Sequence, residues 1–143
     1  MLIKQVMEMF ELLDSPVASG GEVARELERR GPAEITVRTI RDGDNSTDFI
    51  RIAVAGRAGK TAGGTAPTLG IVGRLGGIGA RPEVTGFVSD GDGALCALAV
   101  AAKLLDMKAR GDSLEGDVIL CTQICPHAPT QPHAPVPFMG SPV

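Results

Sequence analysis

The residues of this chain best equipped for chemistry fall in three clusters. The first is Ser89-Asp90-Gly91-Asp92-Gly93-Ala94, two carboxylates just ahead of an apolar helical stretch. A carboxylate in that place can cap the helix, accepting backbone N–H groups near the positive end of the dipole, a role worth about 1 kcal/mol. It can equally ligate a metal, take a proton or contact a substrate. For Asp90 the two readings stand level, and for Asp92, inside the first turn, the structural one is favoured. Asp-Gly-Asp-Gly also matches the opening of a calcium loop, but the later acidic ligands of that twelve-residue pattern do not follow.

The second cluster is Gly73-Arg74-Leu75-Gly76-Gly77. A guanidinium is always protonated and only donates hydrogen bonds, so Arg74 can recognise an anion but cannot bind a metal. Gly76 and Gly77 leave their N–H groups open beside it. The third is Cys121, Cys125, His127 and His133, spaced Cys-x3-Cys-x-His-x5-His. Zinc modules pair their ligands in close knuckles, and this spacing does not. Cys121 falls within an apolar strand pattern and Cys96 within a helical one, so both read as core thiols. His127 and His133 each sit in a Pro-His-Ala-Pro repeat, residues 126–129 and 132–135, where stiff backbone could present imidazoles to a metal or an anion. The candidate catalytic residues are therefore Asp90 and His127. The candidate substrate-binding residues are Arg74, Gly76, Gly77 and Asp92. The candidate metal ligands are Asp90, His127 and His133, for a divalent ion such as zinc.

Two further motifs fail on their spacing. Gly56-Arg57-Ala58-Gly59-Lys60-Thr61 suggests a phosphate-binding loop, but Val54 stands where the first glycine belongs and no helical pattern follows Thr61. The segment is expected to be a mobile hairpin loop. Gly77-Ile78-Gly79 has Pro82 at the third position of a dinucleotide fingerprint, with no helix opening there.

The elements that must carry these residues follow from periodicity. Leu2, Ile3, Val6, Met9, Phe10 and Leu13 recur at helical spacing, predicting a helix over 2–13. Ser19 and Glu22 form a capping box for a second helix that stops at Gly31. Ile35, Val37 and Thr39 alternate with polar residues as in a half-exposed strand, Asp42-Gly43 marks a turn, and a second strand covers Phe49 to Val54. Leu69 to Val72 reads as a fully buried strand, Val84 to Val88 as another short one, and Val118 to Thr122 as a buried strand. A helix runs from Asp90 to about Arg110 with Leu95, Leu98, Ala101, Ala102 and Leu105 on its apolar face. Strand, helix and strand make a right-handed parallel crossover. In such sheets ligands bind beyond the carboxyl ends of the strands, where Arg74, Asp90 and the tail after Cys125 would meet. The expected organisation is an α/β domain over 1–125 and a proline-rich extended segment over 126–143.

Composition sets the outer limits. At 143 residues and 43% hydrophobic the chain can bury a core, and with 3% aromatics that core must be aliphatic. A net charge of −3, without a basic face or stacking aromatics, argues against a nucleic-acid partner. No apolar run approaches the ~20 residues of a membrane span. Three cysteines without an export signal point to reduced thiols in the cytoplasm.

The stretch Gly70 to Glu83, Ser89 to Ala94, and Ile124-Cys125-Pro126 through Val143 resembles a prokaryotic family known as domain of unknown function 1177. Members continue past this end, which implies that Val143 is a truncation or processing point and that the fragment lacks the rest of its sheet. The layout also resembles the N-terminal half of co-catalytic zinc exopeptidases, with Ser19-Gly20-Gly21-Glu22 after the first helix and Asp90 with Gly93 at the place of a bridging aspartate. That resemblance implies a three-layer α/β fold around a mixed sheet and a hydrolase-like action on an amide or peptide-like small molecule. It also shows losses. Arg74 and Gly76 stand where a His and an Asp ligand belong, and Ile124-Cys125-Pro126 stands where two glutamates belong. A two-zinc centre is therefore not implied. What remains is either one metal held by Asp90 and His127, or an anion site built on Arg74, in an enzyme or a non-catalytic binding protein, or else a fragment inactive by itself for want of the rest of its sheet; a homo-oligomer is left open.

Overall fold

The computed structural model describes residues 2–15, 17–74, 91–125, 130–131, 134–135 and 138–139. Helix α1 is Ile3–Leu13, α2 is Gly20–Arg30 and α3 is Asp92–Ala109. Strands are β1 Glu34–Asp42, β2 Asn45–Val54, β3 Leu69–Val72 and β4 Val118–Ile124, with a short pair β5 Thr130–Gln131 and β6 Phe138–Met139. The expected strand over Val84 to Val88 lies outside the described residues.

Local chemistry accounts for the element ends. The Ser19 hydroxyl accepts from Glu22 N at 3.2 Å, capping α2, and Arg29 and Arg30 close its last turn against the negative end of the dipole. Gly43 takes φ +57° at the β1–β2 turn, a conformation glycine adopts without steric cost. Around that turn β1 and β2 pair antiparallel from Glu34 with Ala53 to Asp42 with Asn45.

The sheet order is β1-β2-β4-β3, with β2–β4 antiparallel and β3–β4 parallel. The fold is thus α/β with a mixed sheet, and α3 is the crossover between its parallel strands. Alternation places Ile50, Ile52 and Val54 of β2 and Val118, Leu120 and Ile124 of β4 on one face. They join Met9, Leu13, Val23, Leu27, Leu98, Ala101, Ala102 and Leu105 from the three helices in one buried cluster. That core is aliphatic, as composition required. No described helix is long and apolar enough to cross a membrane.

Three expectations are corrected. Leu69 and Val72 are 56% and 77% exposed, so β3 is not buried; among the described strands it pairs with β4 alone and borders the sheet. A short run of apolar residues cannot by itself distinguish an edge strand from a central one. Residues 55–68 are not a hairpin loop, because β4 lies between β2 and β3. Cys96 is exposed rather than in the core, because α3 buries Ala97, Leu98 and Ala101 on another face.

Candidate functional site

The carboxyl end of β3 is fixed against both the neighbouring strand and the crossover helix. Gly73 N donates to Cys121 O at 2.9 Å, and the Thr122 hydroxyl, within the buried side of β4, donates to Gly73 O at 3.0 Å. On the other side the backbone meets α3 directly. A Cβ on Gly73 would lie 2.1 Å from Gly93 O, and one on Gly93 would lie 2.0 Å from Arg74 O. Only glycine allows such an approach, so this pair of glycines seats the strand end on the first turn of α3.

That contact places Arg74 where β3 leaves the sheet, its side chain exposed, with the exposed Asp92 in the first turn of α3. The helix start carries unsatisfied N–H groups and partial positive charge. The N-cap position is Gly91, with no side-chain cap bond. It is the backbone of Arg74 that meets this first turn of α3, while its side chain is exposed. Arg74 and Asp92 are thus brought to one edge of the sheet, near the Ile124 and Cys125 end of β4. Asp90, Gly76, Gly77, His127 and His133 lie outside the described residues.

The described residues do not form a metal centre: no three His, Cys, Asp or Glu side chains gather among them. At the strand-end rim they offer one carboxylate, Asp92, and one permanent cation, Arg74, a donor set that does not fit a divalent ion.

A carboxylate not anticipated from sequence governs the opposite end of β4. Asp117 is 5% exposed and is wrapped by the loop that follows β2. Gly56 N donates to its Oδ1 at 2.9 Å, and Thr61 N and the Thr61 hydroxyl each donate to its Oδ2 at 2.9 Å. The backbone bond from Thr61, then that from Gly56, hold this carboxyl below the ordinary aspartate range, against the opposing effect of burial. A Cβ on Gly59 would stand 2.1 Å from Oδ1, so the loop needs glycine to close on the carboxylate. The segment that suggested a phosphate loop does bind an anion, and the anion is the chain's own. With its acceptor sites filled by the protein, Asp117 organises structure rather than reacting. The sequence signal was an acidic residue just before a buried strand, whose partners, at Gly56 and Thr61, are remote in the chain.

The profile of the family described as Protein of unknown function (DUF1177) matches residues 38–143, which run from within β1 through β2, the crossover and the tail. The chain belongs to this family. No curated protein matches the DUF1177 chain in sequence. Among solved structures it is similar to a leucine aminopeptidase of Caenorhabditis elegans, with 18% identity and a TM-score of 0.54. That likeness covers 87% of this chain and 29% of the aminopeptidase chain. At such identity it is a likeness of fold: the mixed sheet with its crossover is an arrangement that the aminopeptidase contains within a much longer polypeptide.

Proposed function

We propose that this DUF1177 chain recognises the anionic group of an amide or peptide-like small molecule at the strand-end rim, on a hydrolase-like scaffold. One observation carries the reading. The Gly73–Gly93 approach holds the Arg74 backbone against the opening of α3 while the guanidinium stays exposed. A carboxylate seated there meets a bidentate donor and a helix N-terminus together. Gly76 and Gly77 would add N–H donors, Asp92 would contact the ligand's polar part, and Asp90 and His127 would supply base chemistry. A metal role for Asp90, His127 and His133 belongs to the same proposal, as does a cytoplasmic, nucleic-acid-free setting.

The test is calorimetric binding of N-acyl amino acids and dipeptides to the 143-residue chain, alongside hydrolysis of the same panel with and without chelator. The expected result is carboxylate-dependent binding that weakens at least tenfold in Arg74→Ala and less in Arg74→Lys, since lysine keeps the charge but not the fork. Equal binding by Arg74→Ala and the parent would overturn the anion site. Turnover that chelator abolishes would assign a metal to the site, and binding without turnover would leave a recognition module.

A further inference from the structure

Strand β3 has one bonded side and one open side. Leu69 N donates to Asp117 O and Gly73 N to Cys121 O, each at 2.9 Å, so the odd-numbered residues turn their backbone groups toward β4. Gly70 and Val72 turn their N–H and C=O groups the other way, where no described strand pairs with them. The side chains leave that edge approachable. Leu69 and Val72 are 56% and 77% exposed, on opposite faces of the strand. Gly70 is exposed too, and a Cβ built on it would meet nothing within 4 Å, so packing does not demand glycine there. A glycine that the fold does not require, on an open sheet edge, is a place where another backbone can come close. Just past the end of the strand stands an exposed cation, Arg74.

We propose that this edge takes a short extended peptide with a free C-terminus, laid parallel to β3 as an added strand. The inference rests on the anion site proposed at Arg74 and gives its ligand a length, a direction and a backbone. Direction follows from charge. A parallel peptide brings its terminal carboxylate to Arg74, whereas an antiparallel one would bring an ammonium to a guanidinium. Length follows from the strand, whose 4 residues span about 13 Å. The outward groups of Gly70 and Val72 supply N–H donors and C=O acceptors that fix the register of a peptide backbone whatever its sequence. Leu69 on one face and Val72 on the other favour apolar peptide side chains. A folded partner fits less well, because so short an edge falls far below the ~800 Å² per partner of a stable complex.

The experiment is calorimetry of the 143-residue chain with the N-acetylated tetrapeptide of alternating alanine and valine, its C-terminal amide, N-acetylvaline, and tetrapeptides N-methylated at one amide each. The tetrapeptide should bind at least tenfold more tightly than N-acetylvaline, and amidation of its carboxylate should weaken it at least tenfold. N-methylation should weaken binding at least tenfold at alternate amides, those that face β3, and little at the amides between them. Gly70→Pro removes an outward N–H but no bond to β4, and it should reduce the tetrapeptide to the affinity of N-acetylvaline. The methylated peptides read the unaltered chain, so a variant that failed to fold would leave the test standing. A tetrapeptide that binds no tighter than N-acetylvaline, or losses that do not alternate along the methylated series, overturns strand addition and leaves the anion site at Arg74 intact. Alternating losses with no effect of amidation or of Arg74→Ala overturn the anion site and the parallel direction instead. A dimer in sedimentation that Gly70→Pro abolishes would give the edge to a second copy and overturn the peptide.

Discussion

Replacing Gly93 by alanine isolates the contact on which the strand-end rim depends. In an ordinary helix that change is favourable by about 0.5–1 kcal/mol, because alanine loses less backbone freedom than glycine. At Gly93 the new Cβ would lie 2.0 Å from Arg74 O and 2.9 Å from Arg74 N, far inside normal contact, with backbone on both sides. Relief requires the strand end and the helix to separate by more than an ångström, and overpacking of that kind costs roughly 1–3 kcal/mol. With no flexible side chain to yield, the upper end applies, and the net loss is about 2 kcal/mol. For a domain of this size that lowers Tm by roughly 4–8 °C. Gly21 in α2 is the control: its added Cβ would meet only the Ser19 hydroxyl, at 3.9 Å. Gly21→Ala should therefore raise Tm by a few degrees at most, as expected from propensity alone. The assay is thermal and urea unfolding of both variants beside the parent. If Gly93→Ala proves as stabilising as Gly21→Ala, the close approach of β3 and α3 is wrong, and the placement of Arg74 falls with it.

Other outcomes follow from the core, the loop and the helix junction. Leu120, fully buried in the central strand, should lose about 2–5 kcal/mol on change to alanine, read from denaturant midpoints. Asp117→Asn should speed hydrogen exchange at Gly56 and Thr61 by removing the charged acceptor they share. The folded-state pKa of Asp117 is lowered, so its contribution is present above the ordinary aspartate pKa and lost as pH falls through the lower folded value. Acid titration of stability should thus be shallower in Asp117→Asn than in the parent below about pH 4. Arg30 joins the three helices, contacting Glu8 of α1 at 3.0 Å, Glu26 of α2 at 2.8 Å and Asp106 of α3 at 3.4 Å while 11% exposed. Arg30→Ala should cost roughly 1–3 kcal/mol, because it removes the cation that three carboxylates share and leaves them only Lys4, Arg29 and the Gln5 amide as partners, and added salt should narrow the gap to the parent.

Much of this fold was legible because its signals are local. The helical spacing of Val6, Met9 and Leu13, the cap at Ser19 and the alternation of Ile50, Ile52 and Val54 each report an element from a few neighbouring residues. The crossover followed from order alone. What the sequence concealed was relational. Leu69 and Val72 look alike whether a strand lies beside them or not, and nothing near Asp117 announces that Gly56 and Thr61 will enclose it. The Asp117 carboxylate accepts three hydrogen bonds, yet it was absent from the candidate residues because each of its donors is remote in the chain. Of the candidates, Arg74 and Asp92 can be placed at one edge of the sheet, whereas Asp90, Gly76, Gly77, His127 and His133 belong to stretches outside the described residues.

Strand order has a consequence for how the polypeptide comes to be folded. β4 sits between β2 and β3 but is made after both, so Asp48 and Leu69 must wait for Ile124 and Val118 before either strand is paired across the middle. Until then the described part of the emerging chain has the β1–β2 ribbon and helices with unburied aliphatic faces. A nascent chain halted before residue 118 would hold two disconnected pieces of a sheet, and synthesis of one seven-residue strand, β4, converts them into a single cooperative unit.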